Sequence, residues 1–147
     1  MKFKLITPDG PEYDAERMLR WEVLSKPLGI PPGDEAPPEE LHSLHLIALE
    51  GKRLVGCVCF QPESSTQGRI FEMAVSEDYQ GRGFGRQLLH TLEKELIQRG
   101  INDVYLFAPP DAEEFYTLMG YQPQDDSIVK MGMTQRKMRK NLHPISE

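Results

Sequence analysis

The sequence is short of cysteine, of positive charge and of long apolar runs, and each shortage excludes something. Only two cysteines occur among 147 residues, Cys57 and Cys59 in "LVGCVCF". They stand two positions apart on a strand-like stretch, so they face the same side. That separation is too short for an ordinary structural disulfide, and no further cysteines complete a zinc cluster. No His, Cys or carboxylate spacing along the chain suggests a metal site either. Lys and Arg number 17 against 23 Asp and Glu, a formal net charge of −6. A general nucleic-acid binder needs a basic face to displace counterions, so the balance argues against that class. The opening "MKFKLITPDG" lacks the apolar run of a secretory leader, and no stretch reaches membrane-spanning length. The expectation is therefore a cytoplasmic protein without a membrane partner. Its size predicts a single domain over residues 1–147.

What is present is a patterned α/β chain. "KFKLIT" alternates like a short strand. "DAERMLRWEVLSKPLG" predicts a partly amphipathic helix with Met18, Leu19, Trp21, Val23 and Leu24 on its apolar side. "GIPPGDEAPPEE" holds four prolines and four acids; it reads as an exposed connection. "LHLIALEGKRLVGCVCF" predicts a hairpin about Glu50-Gly51-Lys52, and "GRIFEMAV" a further strand. A helix follows over about Gly85–Arg99, with Leu88, Leu89, Leu92, Leu96 and Ile97 as its stripe and Gly100 as its stop. "DVYLFAP" predicts a strand, and "DAEEFYTLMG" a short helix capped by Asp111. "SIVKMGMTQRKMRK" predicts one final strand. Hairpins first, then strand–helix–strand–helix–strand, imply an α/β (α+β) layer of helices on one sheet.

The most unusual stretch is "VSEDYQGRGFGRQLL", Val75–Leu89, with Gly81, Gly83 and Gly85 at every second position. A strand that feeds a glycine loop that opens a helix is suited to phosphate. The first helical turn has N–H groups without intrahelical partners, and its dipole favours negative charge. A tight strand-to-helix corner without a ligand is the plainer alternative. The Gly-Lys-Ser/Thr ending of a nucleotide-binding P-loop is absent, and the glycine spacing does not fit the dinucleotide fingerprint.

Gln80-Gly81-Arg82-Gly83-Phe84-Gly85 resembles the coenzyme A pyrophosphate loop of the GNAT superfamily of N-acetyltransferases. "IFEMAVSEDYQGRGFGRQLL" is similar to that family's whole strand–loop–helix motif, and "DAEEFYTLMGYQP" resembles its second motif through Ala112, Phe115-Tyr116 and Gly120-Tyr121. The first helix resembles small bacterial members of unassigned substrate. Two departures stand out: Pro109 occupies a position where many members carry Asn, and Ser76-Glu77-Asp78 replaces a commoner Pro-containing turn.

The resemblance implies a mixed, mostly antiparallel sheet flanked by helices, with a splayed strand pair that binds acyl-CoA. It implies acetyl-CoA as cosubstrate and a primary amine as acceptor. Backbone groups of Met73, Ala74 and Val75 would meet the pantetheine arm, Gln80 to Gly85 the pyrophosphate, and Arg82 and Arg86 would flank it, with Phe84 packed beneath. Tyr116 would be the general acid. Glu72 is the best base candidate, because a carboxylate in an apolar strand is out of place unless solvated or working; alternation points it away from Phe71 and Met73. His42 and His45 are rivals for that role. A non-catalytic acyl-CoA-binding module is the alternative from another class, and a nucleotide-binding domain sharing the glycine loop is a second. Met131, Met133 and Met138 near the C-terminus suggest a homodimer edge.

Overall fold

Pro11, at the first helical position, begins α1 (Pro11–Arg20), with Glu12 and Asp14 in its first turn and Arg17 and Arg20 in its last, as the helix dipole favours. In the computed structural model, which describes residues 1–31, 41–130 and 132–143, the helical path then widens. A single π turn spans Trp21–Ser25 and a 3₁₀ turn Lys26–Leu28, closed by Gly29 at φ 76°. Of the predicted stripe, Leu19, Val23 and Leu24 pack against the α1-side core. Tyr13, Glu16 and Leu19 face the core, while Met18 is 52% exposed. Residues 32–40 of the proline-rich stretch, together with Met131, lie outside the described residues.

Seven strands form one sheet: β1 (Lys2–Ile6), β2 (Leu44–Glu50), β3 (Arg53–Pro62), β4 (Gln67–Val75), β5 (Asp103–Ala108), β6 (Gln122–Lys130) and β7 (Met133–Asn141). Their spatial order is β1-β2-β3-β4-β5-β7-β6. Every pairing is antiparallel except β4 with β5. The mixed, mostly antiparallel sheet is the one expected. The expected single last strand is instead two strands, β6 and β7, paired antiparallel. Asp111 does not cap a helix. It sits within a 3₁₀ turn, Pro110–Ala112, that precedes α3 (Glu113–Leu118).

The period of two sorts the core onto both faces. Leu46, Val58 and Phe60 pack with Leu88, Leu89, Leu92 and Leu96 of α2 (Phe84–Gln98) on one face. Ile47 and Cys57 pack with Leu19 of α1 on the other. All four α2 leucines are fully buried, each stabilising the fold by roughly 1.5–3 kcal/mol. Met138 is also fully buried within the α2-side core. It is therefore unavailable to a dimer surface, because β7 is an interior strand and only β6 forms that edge.

Candidate functional site

The parallel ladder between β4 and β5 is short. It pairs Gln67–Arg69 with Asp103–Tyr105 and goes no further, although β4 continues to Val75 and β5 to Ala108. The strands splay from Ile70 onward, and a cleft of about 1100 Å³ opens between them. Glu72 and Met73 line one wall, Leu106 and Phe107 the other, with Tyr116 behind and Gln80 at the loop end. Cleft and glycine loop thus meet at the end of β4.

A bulge shapes the β4 wall. Cys57 pairs with Ala74 but Cys59 pairs with Phe71, so three steps of β4 answer two of β3. The extra residue is accommodated at Glu72, whose φ is 51°, the only positive value at a described non-glycine residue. Such a backbone costs energy and is retained where the surrounding structure holds it. Its effect is to reset the alternation. Phe71, paired with Cys59, faces the α1 side. Glu72 turns to that same side, where Arg20 lies, while Met73 packs with the α2-side core. The expectation that Glu72 opposes Met73 holds; the expectation that it opposes Phe71 does not.

Glu72 is one-fifth exposed and is held between cations. Its Oε2 faces Arg20 Nε at 3.7 Å, and its Oε1 accepts from Lys130 Nζ at 3.5 Å. Behind Arg20 lies a buried cluster. Arg20 Nη1 donates to Glu16 Oε2 at 2.8 Å, His45 Nδ1 lies 2.9 Å from that same oxygen, and Cys59 Sγ donates to it at 3.4 Å. Glu16, His45 and Cys59 are all fully buried, with donor atoms within 4.8 Å of one another. Chain spacing does not disclose this grouping. His45 is therefore sealed in the core, and His42 does not line the cleft. Neither rival stands where a base would be needed. Burial pushes both thiols well above the usual cysteine range, helped by the Glu16 charge, so they are not nucleophiles.

Tyr116 comes from α3. It is 9% exposed, and its hydroxyl points across the cleft to Met73 Sδ at 3.6 Å. Burial pushes its phenol up to about 12, so it remains a donor throughout the physiological range. Glu93 clamps the surroundings of α3: Tyr121 donates to it at 2.7 Å and Lys140 at 2.8 Å, and Lys140 also bonds the Met119 carbonyl at 2.8 Å.

At the loop, Gly81 and Gly83 have φ of 76° and 84°, with open space where a Cβ would stand. Gly83 immediately precedes α2, so the first-turn N–H groups face an unobstructed approach. Gly85 is different in kind: a Cβ there would come within 3.3 Å of Met73 Cε, so it serves helix-to-strand packing. Gln80 donates its side-chain amide to the Val75 carbonyl at 2.8 Å, which ties the loop to the strand end. Arg82 lies over the Tyr79 ring, Tyr79 contacts Phe84, and Arg86 is exposed. Phe84 is half-buried.

The sequence pattern of the acetyltransferase (GNAT) domain matches residues 33–142. The chain is 33% identical over 95 residues to the uncharacterized N-acetyltransferase ycf52 of Porphyra purpurea, covering 61% of this chain and 55% of that protein. Across the first curated relatives it matches, the chain spans 31–55% of their length. Among solved structures, Escherichia coli ElaA superposes with a TM-score of 0.82 at 18% identity, covering 95% of this chain and 99% of that one. An aminoglycoside 6'-N-acetyltransferase complexed with coenzyme A superposes at 0.81 with 19% identity over the full length of both. At these identities the structural likeness establishes the fold.

Proposed function

The chain belongs to the GNAT acetyltransferase domain family, and from that membership we propose that it transfers the acetyl group of acetyl-CoA to a primary amine by direct attack. The observation that carries the reading is the opening between β4 and β5, which ends at a glycine loop and has Tyr116 behind it. Past Arg69, the β4 edge can pair with the amides of the pantetheine arm as an added strand would. The loop N–H groups of Gly81 to Gly85 take the pyrophosphate, and the exposed Arg86 reaches its rim; Gln80 contributes by holding the loop in place. The coenzyme A bound by the aminoglycoside acetyltransferase of the same fold supports this choice of cosubstrate.

The chemistry has two proton steps. An alkylammonium of pKa about 10.4 must lose a proton before it attacks, which costs roughly 4–5 kcal/mol at pH 7. Glu72 receives that proton and passes it to water. The nitrogen then bonds to the thioester carbonyl carbon, the C–S bond breaks, and the second N–H proton balances the departing thiol. Tyr116 donates its hydrogen bond to the sulfur as negative charge develops. No step uses a protein nucleophile, in keeping with the two buried thiols.

Calorimetry tests the cosubstrate. Acetyl-CoA is expected to bind and ATP and NAD not to. Gly83→Ala is expected to weaken acetyl-CoA binding at least tenfold, and to cost about 1 kcal/mol of stability through its left-handed backbone. ATP binding without acetyl-CoA binding would sink the reading. Binding without turnover of any amine would favour the acyl-CoA-binding module instead. Self-association through the exposed edge strand β6 is the corresponding proposal for assembly, and sedimentation across a range of concentrations reads it; a monomer throughout refutes it.

A further inference from the structure

The acceptor end of the cleft carries charges of both signs. Arg20 faces Glu72, but its charge is already answered from behind by the buried Glu16, which bonds it at 2.8 Å. Beside it, Glu72 and Lys130 face each other across 3.5 Å, and Glu22 and Arg69, the latter over the Phe71 ring, add a further charge of each sign to the lining. Lys130 is half-exposed on the last residue of β6, within reach of an incoming group. Apolar side chains line this end as well: Val23, Leu24 and Leu28 after α1, Phe71 on β4 and Ile128 on β6.

We propose that the acceptor is a zwitterion, an α-amino acid with an apolar side chain. Its amino group lies at Glu72, its carboxylate at Lys130 and its side chain against the apolar wall. This rests on the acetyl-transfer reading above. The amino nitrogen and carboxylate oxygens of an α-amino acid lie about 3 Å apart, matching the separation of the Glu72–Lys130 pair. Binding therefore exchanges one ion pair for two and leaves the site's net charge unchanged. A polyamine would instead bring a second positive charge against Lys130 and Arg20. The carboxylate also serves the reaction. Once the amine has given up its proton, its attraction to Glu72 falls, and the carboxylate on Lys130 keeps the neutral nucleophile in place. The bonds made and broken are those above: N–C forms, C–S breaks, and the ammonium proton leaves through Glu72 to water.

The test measures thiol release from saturating acetyl-CoA by the full chain, with calorimetry of acetyl-CoA on the same preparation. The acceptors are leucine, leucinamide, isoamylamine, spermidine and a terminally blocked lysine peptide. Leucine is expected to exceed leucinamide and isoamylamine in kcat/KM by about tenfold or more, because only leucine fills the cationic partner. Lys130→Met is expected to erase that ratio through KM for leucine, and Lys130→Arg to restore it. Equal or better use of isoamylamine, spermidine or the peptide overturns the inference, as does a ratio unmoved by Lys130→Met. If acetyl-CoA binds and no acceptor in the panel is used, the zwitterion falls while the cosubstrate reading stands. If acetyl-CoA does not bind, both fall.

Discussion

Tyr116→Phe is expected to lower turnover by about 10²–10⁴-fold while leaving acetyl-CoA affinity near the parental value. Among the described residues, the phenol hydroxyl bonds Met73 Sδ alone, at a long 3.6 Å, so its removal costs little packing. The ring keeps its edge contacts with Phe115 and Tyr121. In the proposed mechanism the lost rate reflects the hydrogen bond to sulfur, which exists only as the thiolate departs. Glu72→Gln is expected to behave differently: its defect shrinks as pH rises, because more of the amine is already neutral. A second signature marks the same tyrosine. Its folded-state phenol titrates at about 12, above the 10.0 reference for an unfolded chain. Its contribution is therefore fully present below pH 10 and is lost as pH rises from about 10 to 12, where the unfolded state releases the proton and the folded state holds it. Tyr116→Phe should flatten that part of the alkaline stability profile. Parental turnover with chemistry rate-limiting would make Tyr116 a core residue and nothing more.

Local features of this fold were legible in the sequence. The glycine triplet, the α2 leucine stripe and the Phe115-Tyr116 pair each depend on a few neighbouring residues; the structure puts the leucines in the core and brings the start of the loop and Tyr116 to one cleft. Features set by distant contacts were not. A left-handed Glu72 has no compositional signature, since only its β3 partner's register reveals the added residue. The two strands β6 and β7 look like one in the sequence, because β6 is exposed almost throughout and shows no alternation of burial. Arg20 and Lys130 reach Glu72 from 52 and 58 positions away in the chain, beyond any spacing rule. The sequence does carry one signal of the buried cluster: Glu16 stands three residues from both Tyr13 and Leu19, on the face that helix periodicity buries, and four residues before Arg20. A carboxylate at such a position needs a partner, and a four-residue spacing supplies one.

That buried carboxylate gives the largest expected effect on stability. Glu16→Ala is expected to destabilise the fold by about 3–5 kcal/mol, or about 10 °C in melting temperature for a chain of this size. The side chain is fully buried and joins three elements: α1 through Arg20, β2 through His45 and β3 through Cys59. Deleting it removes the anion that both His45 and Arg20 face and leaves a cavity between helix and sheet. Glu16→Gln separates these causes, because it keeps the volume and a hydrogen-bonding carbonyl but not the charge. A cost for Gln close to that for Ala assigns the loss to charge; a small cost for Gln assigns it to the cavity. Arg20→Met, alone and combined with Glu16→Ala, closes a double-mutant cycle. If the ion pair is the source, the double variant is expected to recover part of the loss, since the remaining cation no longer faces an emptied site. Chemical denaturation of the four proteins reads these terms directly. A Glu16→Ala cost below about 1 kcal/mol would show that the cluster does not anchor α1 to the sheet, and that Arg20 is fixed beneath Glu72 by something else.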